Sequence, residues 1–169
     1  MVGLSGLWMP IVLSAVLVFV MSSVIHMFLN WHAGELKAPP QADALADAMR
    51  PFNIPPGEYH IPHPADMKEM GSPAFIEKMN KGPVALITVL RNGPVSMGKT
   101  LGLWFVYSLA VSAFTAYVTG RTNGAGAHYL SVFRVAGAVA FAGYALAHWQ
   151  YWVWWGKGTR ATITNTIDG

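Results

Sequence analysis

Histidine carries most of the chemistry available to this 169-residue chain, because cysteine is absent and charged residues make up only 11% of it. Without cysteine there is no disulfide, no thiol catalysis and no Cys-based zinc or iron–sulfur centre. His26 lies in the last turns of one apolar stretch, and His148 lies in the last two turns of another. If both stretches cross a membrane in the same direction, the two histidines sit at similar depth. Ionisable side chains inside a membrane are costly and usually face a partner or a functional site. Such a pair could hold a haem iron axially or help to bind a metal. One of them alone could ligate a chlorophyll-type magnesium in a pigment complex. The plainer reading, and the commoner one for terminal-turn histidines, is that each bonds a neighbouring helix or reaches the interface. No cofactor is therefore expected.

His60-Ile-Pro-His63, with Asp66 and Glu69 close by, is a loose metal-ligand constellation. Structural metal sites want four well-placed ligands, and Pro62 and Pro64 stiffen an extended segment here, so a surface loop is the better reading of His60 and His63. Gly93-Pro-Val-Ser-Met-Gly-Lys-Thr100 matches the phosphate-cradling G-x-x-x-x-G-K-[ST] pattern. A P-loop works by pointing backbone N–H groups at phosphates, and Pro94 has none to offer. The helix that follows is apolar, and no hydrophobic strand ending in Asp completes a magnesium site. Gly93–Thr100 reads instead as a turn followed by a basic flank, and no nucleotide is expected. Arg134 lies inside an apolar stretch, but no acid lies in any of the three to form a relay with it. No Ser-His-Asp set or paired carboxylates suggest catalysis, so an enzyme is not expected. No run of Lys or Arg offers a nucleic-acid surface.

The elements that position these residues are dominated by three apolar stretches, roughly residues 7–29, 100–119 and 129–155. Each is near or above the ~20 residues that a helix needs to cross a bilayer core. The first has no Lys or Arg before it and exceeds a signal-peptide core in length, so it reads as a retained helix. Trp8 and Trp31 flank it as interfacial anchors, and Trp149, Trp152, Trp154 and Trp155 form a belt at the end of the third. The second carries Ser108, Ser112, Ala116 and Gly120 at four-residue steps, a row of small side chains along which another helix can approach closely.

Between the first two spans lies a polar lobe. Ala42–Arg50 reads as a short amphipathic helix. Residues 65–70 and 73–80 suggest a helix broken at Gly71, with Ser72 capping its second half and Pro73 in the first turn. Residues 58–62 and 84–90 suggest a two-stranded ribbon, the second strand being rich in β-branched residues. The expected organisation is span one over 1–32, the lobe over 33–99, spans two and three over 100–155 and a polar, Thr-rich tail over 156–169.

Nine Lys and Arg fall on the side of the lobe and tail, against Arg121 and Arg134 on the other. That bias predicts a cytoplasmic lobe and an external N-terminus. The lobe's seven acids balance its seven bases, which softens the bias.

Trp8-Met-Pro-Ile-Val-Leu-Ser-Ala-Val, Ser22-Ser-Val-Ile-His-Met, Gly57-Glu-Tyr-His-Ile-Pro-His, Asp66-Met-Lys-Glu-Met and Met97-Gly-Lys-Thr-Leu-Gly-Leu-Trp together resemble a family of small bacterial integral membrane proteins of unassigned function. The resemblance covers nearly the whole chain and implies a bacterial inner membrane, but it brings no activity or site. Family members tend to have cysteine where Pro64 stands. They also tend to continue past a segment like Thr166-Ile-Asp-Gly into a further apolar helix, with Asp168 then at that helix's start.

The expectation is an all-α membrane protein with three transmembrane helices and a small mixed α/β lobe between helices one and two. Its expected role is that of a non-catalytic accessory subunit in a membrane complex of respiratory or photosynthetic type. Its partners would be membrane lipid and other membrane subunits, or further copies of itself. The alternative is a haem- or metal-binding membrane protein using His26 and His148.

Overall fold

The computed structural model describes residues 2–168. The chain divides into two compact units, one built from the residues up to Lys37 together with those from Ser96 onward, the other from Ala38–Val95. Each is described by itself.

The first unit contains three helices long and apolar enough to cross a membrane, over Leu4–Phe28, Met97–Thr122 and Tyr129–Trp155. The first begins with a 3₁₀ turn, Leu4–Leu7, that runs into α1, Trp8–Phe28. Pro10 lies in the first turn, where its missing N–H costs nothing. α1 packs on α5 (Met97–Thr122), and α5 packs on α6 (Tyr129–Phe141).

The row of small residues on α5 is covered by the chain's own helices. Ser108, Ser112 and Gly120 are buried, and Ala15 of α1 is fully buried. At Gly120 the backbone of the N-terminal segment comes so close that an added Cβ would lie 2.6 Å from the Val2 carbonyl oxygen. The Val2 amide donates to the Gly120 carbonyl at 3.0 Å. An edge-to-face contact between Phe19 and Phe105, 5.7 Å apart, adds an aromatic lock between α1 and α5.

α6 continues through a π-helical turn, Ala142–Leu146, into α7, Ala147–Trp155. Such bulges re-aim side chains within a helix. Here the bulge meets two tyrosines. The Tyr107 hydroxyl donates to the Gly143 carbonyl at 2.6 Å, and the Tyr144 hydroxyl donates to the Ser108 carbonyl at 3.4 Å. The connection from α5 to α6 is closed by Asn123, whose Oδ1 accepts from the Ser131 hydroxyl at 2.7 Å, and by the N-cap His128, whose Nδ1 accepts from the Leu130 amide.

The tail also folds. Gly156 takes the left-handed conformation and ends α7, and Thr159–Asp168 form α8. Thr and Asn disfavour helix interiors, which is why the tail reads as irregular in sequence. Thr162 and Thr166 each turn their hydroxyl back onto the carbonyl four residues earlier, and so remain satisfied within the helix.

The second unit holds α2 (Ala42–Met49), β1 (Gly57–Ile61), α3 (Met67–Met70), α4 (Pro73–Lys81) and β2 (Ala85–Val89). The strands pair antiparallel, with Tyr59 opposite Ile87 and Ile61 opposite Ala85. The helix break falls at Gly71, as its sequence indicates. Ser72 caps α4 by accepting from the Phe75 amide at 3.2 Å, Asp66 caps α3 through the Glu69 amide at 2.7 Å, and Phe75, 3% exposed, is the buried apolar side chain of the unit. The compact unit is narrower than the 33–99 lobe read from composition. Residues 33–37 belong with the long helices, because Glu35 bonds there.

Candidate functional site

The polar residues that the fold gathers lie at the C-terminal end of α1. That helix stops at Phe28, Leu29 is extended, and a 3₁₀ turn over Asn30–His32 reverses the chain. The turn lays the His32 ring flat on the His26 ring, with centroids 4.4 Å apart and planes inclined by 8°. Gly34, at φ +83°, supplies the left-handed residue that brings Glu35 back toward His32. His32 Nδ1 lies 2.9 Å from Glu35 Oε1. His26 Nδ1 lies 2.8 Å from the Ser22 carbonyl oxygen, one helical turn earlier, which places the proton on Nδ1 and leaves the Nε2 lone pair free.

α8 supplies the other half. Arg160, Thr164 and Asp168 are spaced by four and share one face of that helix. Each meets the segment after α1. The Arg160 guanidinium donates to the Trp31 carbonyl at 3.4 Å, the Thr164 hydroxyl donates to Glu35 Oε1, and Asp168 Oδ2 makes a short contact with His32 Nε2. The Trp31 indole N–H lies 3.1 Å from His32 Nε2 and 3.4 Å from Asp168 Oδ2.

The cluster is only partly open to solvent. The side chains of His32 and Glu35 are 16% exposed and that of Asp168 is 11% exposed, while His26 stands at the exposed edge. Burial pushes the Glu35 carboxyl up, but the Thr164 hydroxyl, the His32 ring and the Arg160 guanidinium outweigh it and hold its pKa below the usual carboxylate value. Among the described residues the second Asp168 oxygen, Oδ1, is buried without a hydrogen-bond partner. One nitrogen of His26, one of His32 and one Asp168 oxygen lie within 4.8 Å of one another.

The residues singled out from sequence fare differently. His26 belongs to this cluster, beside His32 rather than beside His148. His148 is half-buried and makes no hydrogen bond or ring contact among the described residues. In the other unit, His60 Nδ1 is engaged by the Pro62 carbonyl at 2.6 Å, and His63 has no partner among the described residues. Lys99 and Thr100 of the P-loop-like stretch lie in the first turn of α5, where the Thr100 hydroxyl donates to the Ser96 carbonyl. Ser108 and Ser112 face Tyr144, and Gly120 faces the N-terminal segment.

Sequence reasoning did not join His32, Glu35, Thr164 and Asp168. The Arg160-Thr164-Asp168 spacing was the available signal, but it has meaning only if the tail is helical. Searches of protein-family models, curated proteins and solved structures find no match to this chain.

Proposed function

We propose that this chain is an integral membrane protein that serves as a non-catalytic accessory subunit of a larger membrane assembly. It would sit in a bacterial inner membrane with the 38–95 unit on the cytoplasmic side. The observation that carries this reading is the apolar surface left uncovered by the three long helices. Trp8, Leu13, Leu17, Met21 and Phe28 of α1, and Leu103, Val106 and Phe114 of α5, are all exposed. Water does not tolerate so large a continuous apolar surface, whereas acyl chains do.

A groove supports the subunit role. Between α5 and the α6–π–α7 helix, a cleft of about 570 Å³ is lined by Ala110, Phe114, Ala138, Ala142 and Gly143. A floor of small residues lets the backbone of a neighbouring helix come close. The occupant of the groove is a helix of a partner subunit. The resemblance to a family of small bacterial membrane proteins agrees with the location.

Two experiments test this. The native chain is expected to stay with membranes through alkaline carbonate extraction, and release into the supernatant would overturn the membrane reading. Mild-detergent purification from native membranes is expected to bring down a constant set of other membrane proteins. That set should be lost on Ala138→Leu or Ala142→Leu, which fill the groove. A chain that always migrates alone would overturn the subunit role.

A further inference from the structure

We propose that His26, His32 and Asp168 form a binding site for a divalent first-row transition metal ion of the zinc type. Glu35 acts as the residue that orients His32. The site is independent of the subunit role and has its own test.

The donor set is the first argument. Two imidazoles and one carboxylate suit zinc and its neighbours in the first row, and offer too few oxygens for calcium or magnesium. The hydrogen bonding is the second. His26 spends its Nδ1 proton on the Ser22 carbonyl, which leaves Nε2 as a lone-pair donor. His32 Nδ1 faces Glu35, which makes the carboxylate–histidine–metal arrangement that fixes the tautomer and raises ligand basicity. Glu35 is in turn held by Thr164, so the orienting group has its own support.

The unmatched acceptors are the third argument. With Nδ1 donating to Glu35, the His32 Nε2 lone pair and Asp168 Oδ2 are two acceptors in short contact. The single Trp31 N–H at 3.1 and 3.4 Å cannot serve both at full strength. Asp168 Oδ1 is also buried without a partner among the described residues. A cation between these atoms removes the conflict. A proton does so as well, and the experiment separates the two.

The geometry needs adjustment. Donor atoms on a tetrahedral zinc ion lie about 3.3 Å apart, so His32 Nε2 and Asp168 Oδ2, closer than that, must part to admit the ion, while the His26 nitrogen, within 4.8 Å of both, must move in. Imidazole lone pairs also lie in the ring plane, and two parallel rings cannot both aim at one ion. His26, at the exposed edge and in the last turn of α1, is the ring with room to turn, giving up its Ser22 bond as it does so. Three protein donors leave a fourth position for water or for a side chain of a partner.

The test uses the full chain in detergent after chelator treatment, in a His60→Ala/His63→Ala/His128→Asn/His148→Ala background that removes the four competing imidazoles. Calorimetric titration is expected to give one Zn(II) per chain, bound at least about 100-fold more tightly than Mg(II). Pulsed EPR with Cu(II) is expected to show coupling to two imidazole nitrogens, falling to one in His26→Gln and in His32→Gln. Asp168→Asn is expected to keep both nitrogens but weaken Zn(II) binding. Glu35→Gln is expected to weaken Zn(II) binding about 10- to 100-fold with both nitrogens retained. The Cu(II) spectrum of the background chain decides the matter even where a variant fails to fold. No imidazole coupling, or Zn(II) binding no tighter than Mg(II), would leave His32 as a proton-bridged link between two carboxylates and overturn the metal site.

Discussion

The bonded polar groups in the middle of the long helices and those at the end of α1 are satisfied in opposite ways, while Trp104 Nε1, Thr115 Oγ1 and Thr119 Oγ1 of α5 are buried without a hydrogen-bond partner among the described residues. Midway along these helices a bonded serine hydroxyl turns inward on its own helix. Ser108 Oγ donates to the Trp104 carbonyl, and Ser23 Oγ of α1 does the same to Phe19. The bonds that do cross between helices, from Tyr107 and Tyr144, end on backbone carbonyls. Each of these groups needs only a helix beside it. At the end of α1, in contrast, side chain meets side chain. His32 links Glu35 and Asp168, across 136 residues in the second case, and Glu35 also links to Thr164. The first pattern is a set of separate bonds. The second is a network in which each member leaves another unsatisfied when removed. That dependence marks the end of α1 as the place where function is to be sought.

The comparison can be broken most directly at His32. His32→Ala leaves the Asp168 and Glu35 carboxylates facing each other's charge in a partly buried site. It is expected to destabilise the first unit by about 3 kcal/mol, read from detergent-phase unfolding followed by tryptophan fluorescence. A loss no greater than that of a mid-helix hydroxyl would erase the distinction drawn here.

Next in size is Gly120→Ala, which tests backbone closeness rather than polarity. Its Cβ would meet the Val2 carbonyl oxygen at 2.6 Å, an atom of the backbone, so the N-terminal segment itself must shift. The expected cost is about 2 kcal/mol of overpacking, accompanied by exposure of the N-terminal segment to limited proteolysis. An unchanged cleavage pattern would show that the N-terminal segment is not held there.

Smaller again is Tyr107→Phe. It removes a bond between helices but leaves its acceptor, the Gly143 carbonyl, inside a helical turn. A loss of about 0.6 kcal/mol is expected. A value near that of His32→Ala would mean that the mid-helix bonds are as interdependent as the cluster.

The smallest effect concerns the other unit, where Glu69 offers a contrast with Glu35. The Ala65 backbone amide, with Lys78 beside it, holds the Glu69 carboxyl below the usual carboxylate value. A carboxyl held low adds stability that is present above its unfolded pKa and is lost as pH falls through the folded one. Acidification below the ordinary carboxylate range is therefore expected to lower slightly the protection of the Ala65 amide, measured against its intrinsic exchange rate at each pH. Glu69→Gln should abolish that change. If Ala65 protection does not vary with pH in that range, the carboxylate does not hold the loop before α3.

Much of the fold was legible, and unevenly so. Apolar runs longer than a bilayer core announce helices whatever surrounds them, so 7–29, 100–119 and 129–155 needed no partner to be read. Ser72-Pro73 marked the start of α4 because an N-cap works through bonds three residues away. Both strands were readable to within a residue, the second from its β-branched run. The small-residue row on α5 was visible, but its occupant was not. Spacing shows that something can approach, and the structure shows that the N-terminal segment and Tyr144 do.

The composition of this chain alone determined that it has three long apolar helices and a short polar interlude. Both follow from local hydrophobicity and local backbone preference, which act over a few residues. Only the tertiary structure decided that the Thr-rich tail is a helix, that its Arg160-Thr164-Asp168 face docks on residues 31–35, and that His26 pairs with His32 rather than with His148. Those outcomes depend on a reversal at Asn30–His32 and on a contact between His32 and Asp168 spanning 136 residues. Contacts so distant leave no periodic trace in a single sequence.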